Sequence, residues 1–226
     1  MAEGFGAFGK MPSVGDFFRL NPPAGFVSVW DEWVQRAMLL AQSALGPDWD
    51  AYYMSAPIWR FSLSAGLAGP HKVMGVAMPS VDRVGRRFPL TLMAAVPAPG
   101  PAPLDHFCQD PLFERLEDLA LDALEDGMTR DLLAQRLAEI PAPQSRPVAR
   151  VRKSGAHSLT LSDAAGSVLP DLAAGLLAER HRHPSLWRAV IDQSQRLLVC
   201  EGLPEGSAMQ GLFHLDAPIW AEAEPA

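Results

Sequence analysis

The sequence predicts an α/β fold in which a mixed β-sheet is covered by helices on both faces, a three-layer α/β/α-like arrangement. Three observations predict it. Two runs, KVMGVAM (72–78) and PLTLMAAV (89–96), have the near-continuous hydrophobicity of strands buried on both faces. A stretch from Phe26 to Ala41 repeats its apolar residues at helical spacing, and further helical stretches lie among the later strands. With 226 residues, 48% of them hydrophobic, the chain can close one such core as a single domain without a metal or disulfide staple.

The elements follow in order. GFGAFGK (4–10) reads as a glycine-and-aromatic edge strand around Phe5 and Phe8, running into a Pro-Ser-Val-Gly turn. Phe26, Trp30, Trp33, Val34, Ala37, Met38 and Ala41 then form one helical stripe, with Pro22-Pro23 before the helix and Gly46-Pro47 ending it. In WRFSLS (59–64), Trp59, Phe61 and Leu63 alternate with Arg60, Ser62 and Ser64, the period of a half-buried strand. The two apolar runs follow as strands joined by PSVDRVGRRF. PAPGPAP (97–103) fixes φ and removes amide donors, so it reads as a linker or rim loop.

A helical pair over 104–140 comes next. Asp110 is the expected cap of the first helix, with Pro111 at its first helical position, and Thr129 the expected cap of the second. The remainder, 141–226, mixes the strands VARVRK, HSLTLS, LWRAVI and RLLVC with one helix around 170–180.

Charge excludes whole classes of function. The net charge of −7 is concentrated in residues 101–142, where three Lys/Arg face ten Asp/Glu. That segment repels phosphate backbones and no basic stripe lies elsewhere, so nucleic-acid binding is not expected. The run LTLMAAV is too short to insert in a membrane, and the N-terminus lacks the basic and apolar regions of an export signal. A cytoplasmic protein is expected, with Cys108 and Cys200 as reduced core residues.

The opening glycines approximate a phosphate-binding loop, with Gly4, Gly9 and Lys10 correctly spaced. Met11 stands where a magnesium-binding hydroxyl is needed, however, and Pro12 where a helix should begin. The histidines show no metal-ligand spacing, and no nucleophile elbow is present. The sequence therefore predicts no catalytic residues, no metal and no cofactor.

One stretch carries distinctive chemistry. PSVDRVGRRFPL (79–90) places Ser80, Asp82, Arg83, Arg86 and Arg87 between two apolar strands, with Gly85 free to take a positive φ. One arginine can hold Asp82 through paired hydrogen bonds, leaving the other two for a carboxylate, a phosphate or a partner's acidic side chain. Two readings stay open: an internal ionic clasp that includes Asp16 and Arg60, or a recognition surface with Lys10 nearby. The alternative in chemical terms is a hydrolase or phosphoryl-handling site built on the same Asp/Arg cluster.

Several segments in order, FGKMPSVGDFFR (8–19), WDEWVQ (30–35), APIWRFSLSAGLAG (56–69) and GVAMPSVDRVGRRFPLTL (75–92), resemble the TagF family of type VI secretion accessory proteins. The strong part covers 1–97; SLWRAV and CEGLP extend it more weakly. Gly9, Lys10, Pro12, Gly15 and Asp16 match one family segment, and Ser80, Asp82, Arg83, Gly85 and Arg86 match the other. Met11 stands where leucine is common, a change that conserves volume. The resemblance implies a cytoplasmic post-translational repressor that acts by protein binding. Its implied partner is the forkhead-associated-domain scaffold of the secretion system. The family offers no catalytic residues to carry over, and self-association is left open.

Overall fold

Strand period sorts the core. Along β4 (Lys72–Met78), Met74, Val76 and Met78 point to one side of a sheet, while Val73 and Ala77 point to the other. The computed structural model describes residues 4–155, 157–162 and 166–221. In it β4 is the central strand of seven, flanked by β5 (Leu90–Val96) and β3 (Trp59–Leu63). Beyond β5 lie β1 (Gly6–Gly9) and β2 (Phe18–Leu20); beyond β3 lie β8 (Pro184–Ile191) and β9 (Ser194–Glu201).

Helices cover both faces, as the sequence predicts. On one side α1 (Phe26–Leu45), with α7 (Gly206–Gly211) and the short α2 (Trp49–Ser55), packs an aromatic core. There Trp30 lies 5.0 Å from Trp33 and 5.8 Å from Trp187, ring centre to ring centre. On the other side α4 (Asp110–Asp122) and α5 (Arg130–Ala138) lay Phe113, Leu116 and Leu133 on Met74, Val76 and Leu92. The helices α3 (Ala102–Cys108) and α6 (Leu169–Arg180), and a hairpin of β6 (Val151–Ser154) with β7 (Ser158–Leu161), complete the described chain.

Within this α/β arrangement every strand pair among the described residues is antiparallel, so the expected mixture of strand directions does not occur. Consecutive strands are joined by turns or excursions that return the chain in the opposite sense. The opening strand is not at the edge: β1 pairs with both β2 and β5, and β2 forms the edge. Strand β3 is buried on both faces, because Arg60 and Ser62 find polar partners under α3 and α4.

The Pro-rich run is a linker only through Pro101. Ala102 and Pro103 begin α3, where a proline in the first turn has no amide bond to lose, so three helices replace the expected pair. Thr129 caps α5 as expected, accepting the Leu132 amide at 3.1 Å. Asp110 does not cap α4. Gln109 holds that position, and the Asp110 carboxylate turns instead to Arg60 and Arg188. Neither cysteine belongs to the core: Cys108 is exposed and Cys200 half-buried, both as free thiols.

Candidate functional site

The β4–β5 connection folds back on itself. The Asp82 amide donates to the Arg86 carbonyl at 3.1 Å, and the Gly85 amide to the Asp82 carbonyl at 2.9 Å. Gly85 takes φ 82°, a conformation that favours glycine. Below the turn, the Tyr53 hydroxyl donates to the Ser80 carbonyl at 2.8 Å and accepts the Ser80 amide at 3.0 Å. Burial pushes the Tyr53 hydroxyl pKa well above its ordinary value, so it stays protonated.

Asp82 is the centre of the clasp and only 2% exposed. Its Oδ1 accepts the amides of Val84 at 3.1 Å and Arg86 at 2.9 Å; its Oδ2 meets Arg86 Nε at 2.6 Å and Lys10 Nζ at 3.1 Å. Burial by itself would raise its pKa. The Arg86 amide, the Lys10 ammonium, the Arg86 guanidinium and the Val84 amide together outweigh that and hold the carboxyl well below the usual range. Lys10 can reach Asp82 because β1 runs against the Pro89 carbonyl at Gly9, which has φ 131° and leaves no room for a Cβ. Thus the lysine of the apparent phosphate loop is buried on a carboxylate, and a turn follows it in place of a helix.

Two strand-end loops are locked together here. The Arg83 amide donates to the Val14 carbonyl at 3.0 Å, and Arg86 Nη2 to the Gly15 carbonyl at 2.7 Å. Asp16 lies at the margin, 3.9 Å from Arg86, accepting the Phe17 amide. Arg87 pairs with Asp50 of α2 at 2.7 Å. Only Arg83, of the three loop arginines, has a guanidinium without a hydrogen-bonding or ionic partner among the described residues. The sequence reading left two free. Arg83 lies against Gly15, beside Val84 (69% exposed) and near the same turn as Phe17 (45% exposed).

Arg60 does not join this clasp. Its guanidinium is spent on Glu117, at 2.7 and 2.6 Å, and on Asp110 at 3.1 Å. Arg188, opposite Arg60 in the β3–β8 register, also pairs with Asp110. This second ionic cluster went unread in the sequence; its signal was Arg60 and Ser62 alternating with large apolar residues beneath an acidic helix.

Ser62 in the same cluster lies 3.0 Å from Nδ1 of the fully buried His106. Burial, reinforced by the positive charges of Arg188 and Arg60, pulls the His106 pKa from 6.5 down to about 3. The folded state therefore binds its proton less readily than the unfolded chain. His106 contributes fully above pH 6.5, and its contribution shrinks as pH falls from there towards 3. Urea titrations between pH 7 and 5 should show stability falling by about 1 kcal/mol per pH unit below 6.5, a slope that His106→Asn removes.

The layers and the clasp define a three-layer α/β arrangement with one charged, glycine-jointed loop held by hydrogen bonds and ion pairs at its strand ends; no cluster fit to hold a metal occurs among the described residues. The chain belongs to the family described as TagF N-terminal domain, Type VI secretion system-associated, which matches residues 6–140. That match runs past the Pro-rich segment to the end of α5, further than the four strong segments that carried the resemblance, and stops short of the weaker SLWRAV and CEGLP. The fold is also similar to the crystal structure of PA0076 from Pseudomonas aeruginosa PAO1. Identity is 31%, coverage is 98% of this chain and 97% of the other, and the TM-score is 0.79. No curated protein matches the chain. It is thus a type VI secretion accessory protein, and none of its described helices is long and apolar enough to cross a membrane.

Proposed function

We propose that this chain is a cytoplasmic repressor of type VI secretion that works by binding another protein and turns over no substrate. Its partner in this reading is the forkhead-associated-domain scaffold of the system. The contact is the 79–90 loop with the neighbouring 12–17 turn. The observation that carries it is the unequal use of the loop arginines: Arg86 and Arg87 are tied down, while Arg83 projects unpaired beside exposed Val84. A guanidinium next to apolar surface on a rigid support is the arrangement that anchors protein interfaces. The clasp itself argues against the hydrolase or phosphoryl-handling alternative. With four donors on its two oxygens, Asp82 has no lone pair to spare as base or nucleophile.

In this reading Asp82, Arg86 and Lys10 hold the loop in shape, and Arg83 makes the contact. Arg83→Ala should leave the melting temperature within about 1 °C of the parent, because the side chain has no internal partner. It should weaken scaffold capture at least tenfold and release repression, in line with the loss of a central anchor. Normal capture by folded Arg83→Ala and Arg83→Glu proteins would remove the loop as the interface.

A further inference from the structure

The two borders of the sheet are treated differently. At one border β2 has three residues, and the Arg19 carbonyl accepts a bond from Arg130. Short strands and covered carbonyls are how proteins keep sheet edges from pairing. At the other border β9 has eight residues, no proline and, among the described residues, no strand beyond it.

The direction of its hydrogen bonds follows from the register. The Gly202 amide donates to the His183 carbonyl, so within the β8–β9 ladder residues 194, 196, 198 and 200 face β8. Gln195, Leu197, Val199 and Glu201 therefore turn their amides and carbonyls outward, where none finds a partner among the described residues. Their side chains share a face, and Leu197 is 45% exposed. Its diagonal neighbour Val190 on β8 is 47% exposed.

We propose that β9 is a self-association edge, pairing antiparallel with β9 of a second copy about a two-fold axis at Leu198. The two sheets then run together as one of fourteen strands. A two-fold axis normal to the sheet keeps each side chain on its own face, so opposed residues must share parity. The register centred on Leu198 meets that condition and is self-complementary. Leu197 faces the partner's Val199, Leu198 faces the partner's Leu198, Gln195 faces the partner's Glu201, and Arg196 faces the partner's Cys200. No like charges oppose each other, and apolar groups meet apolar groups at the centre. This self-complementarity selects a second copy over a foreign strand, and the proposal stands apart from the role of the Arg83 loop.

Sedimentation of the full chain from 1 to 500 µM tests it. A reversible dimer with a dissociation constant on the order of 10–100 µM is expected, since one strand edge buries less than a standard interface. Leu197→Lys should raise that constant at least tenfold with an unchanged melting temperature, because it charges an exposed edge position. A second measurement reads the register. In a Cys108→Ser background, Arg196→Cys places a new thiol opposite the partner's Cys200, in a non-hydrogen-bonded pair whose spacing suits a disulfide. Air oxidation should give a covalent dimer with that linkage by mass spectrometry; within one chain the two positions are too far apart along the strand to join. Three outcomes would overturn the proposal. One is a monomer throughout with no cross-link. Another is a dimer indifferent to Leu197→Lys. The third is a monomer whose capture by the secretion scaffold is lost in Leu197→Lys, which would assign the edge to a foreign strand.

Discussion

Glu117→Ala should lower unfolding free energy by about 3 kcal/mol in urea titration, the expected result of taking the main partner from the buried Arg60 guanidinium. Arg60 keeps only Asp110, which it shares with Arg188, and the two buried guanidinium groups stand opposite each other on neighbouring strands. Burial and, after it, the charge of Arg60 already lower the Arg188 pKa. A cavity left under α4 adds to the loss. The result matters for mapping partners as well. Reversing the charges of Glu117 and Asp118 looks like a test of an acidic docking surface, but at Glu117 it tests folding, because that carboxylate faces the sheet. Asp118 is the position at which such a surface can be probed. A Glu117→Ala protein as stable as its parent would show that the cluster adds nothing net to folding.

Asp82→Asn is the second large effect, and it acts on stability and binding together. An amide offers one acceptor oxygen in place of two, and its NH₂ must face either two backbone amides or two cations. Lys10, 5% exposed, loses its counter-charge where water cannot replace it. A fall in melting temperature of roughly 10 °C is expected at pH 7. The amides of Val84 and Arg86 should lose their protection from hydrogen exchange. Arg83-dependent capture should fail with them, since the arginine is no longer held in place. The pH dependence has a definite sign. The folded-state pKa of Asp82 is depressed, so its contribution is complete above the unfolded carboxyl value of about 4 and declines as pH drops below it. The parent protein should lose stability between about pH 4 and 2, and that acid limb should be shallower in the variant. Intact protection of both amides in Asp82→Asn would show that the loop holds its shape without the clasp.

Much of the architecture is legible wherever a local pattern decides the outcome. KVMGVAM forms β4 over the same seven residues, Phe26 begins α1, and Thr129 caps α5, because run length, stripe period and cap chemistry are short-range properties. The 79–90 segment stands out for the same reason: charges and a glycine between apolar strands have few other uses. Arg60 was misplaced because its partners lie 50 and 57 residues away, and only strand register and helix docking bring them together. Asp110 was read as a cap for the same cause, since nothing nearby in the sequence announces two arginines across the interface. The place of β1 inside the sheet depends on strand order, which alternation within a single strand does not encode.

The packed indoles of the aromatic core have a practical consequence. Trp30 and Trp33 come from α1 and Trp187 from β8, so the stack joins the family-matched segment to the chain beyond residue 140. Transition dipoles held this close couple, and the part of the near-ultraviolet circular dichroism that comes from Trp187 against Trp30 and Trp33 exists only while both parts are docked. The molecule therefore carries its own optical reporter of whether its two halves come apart together or in turn.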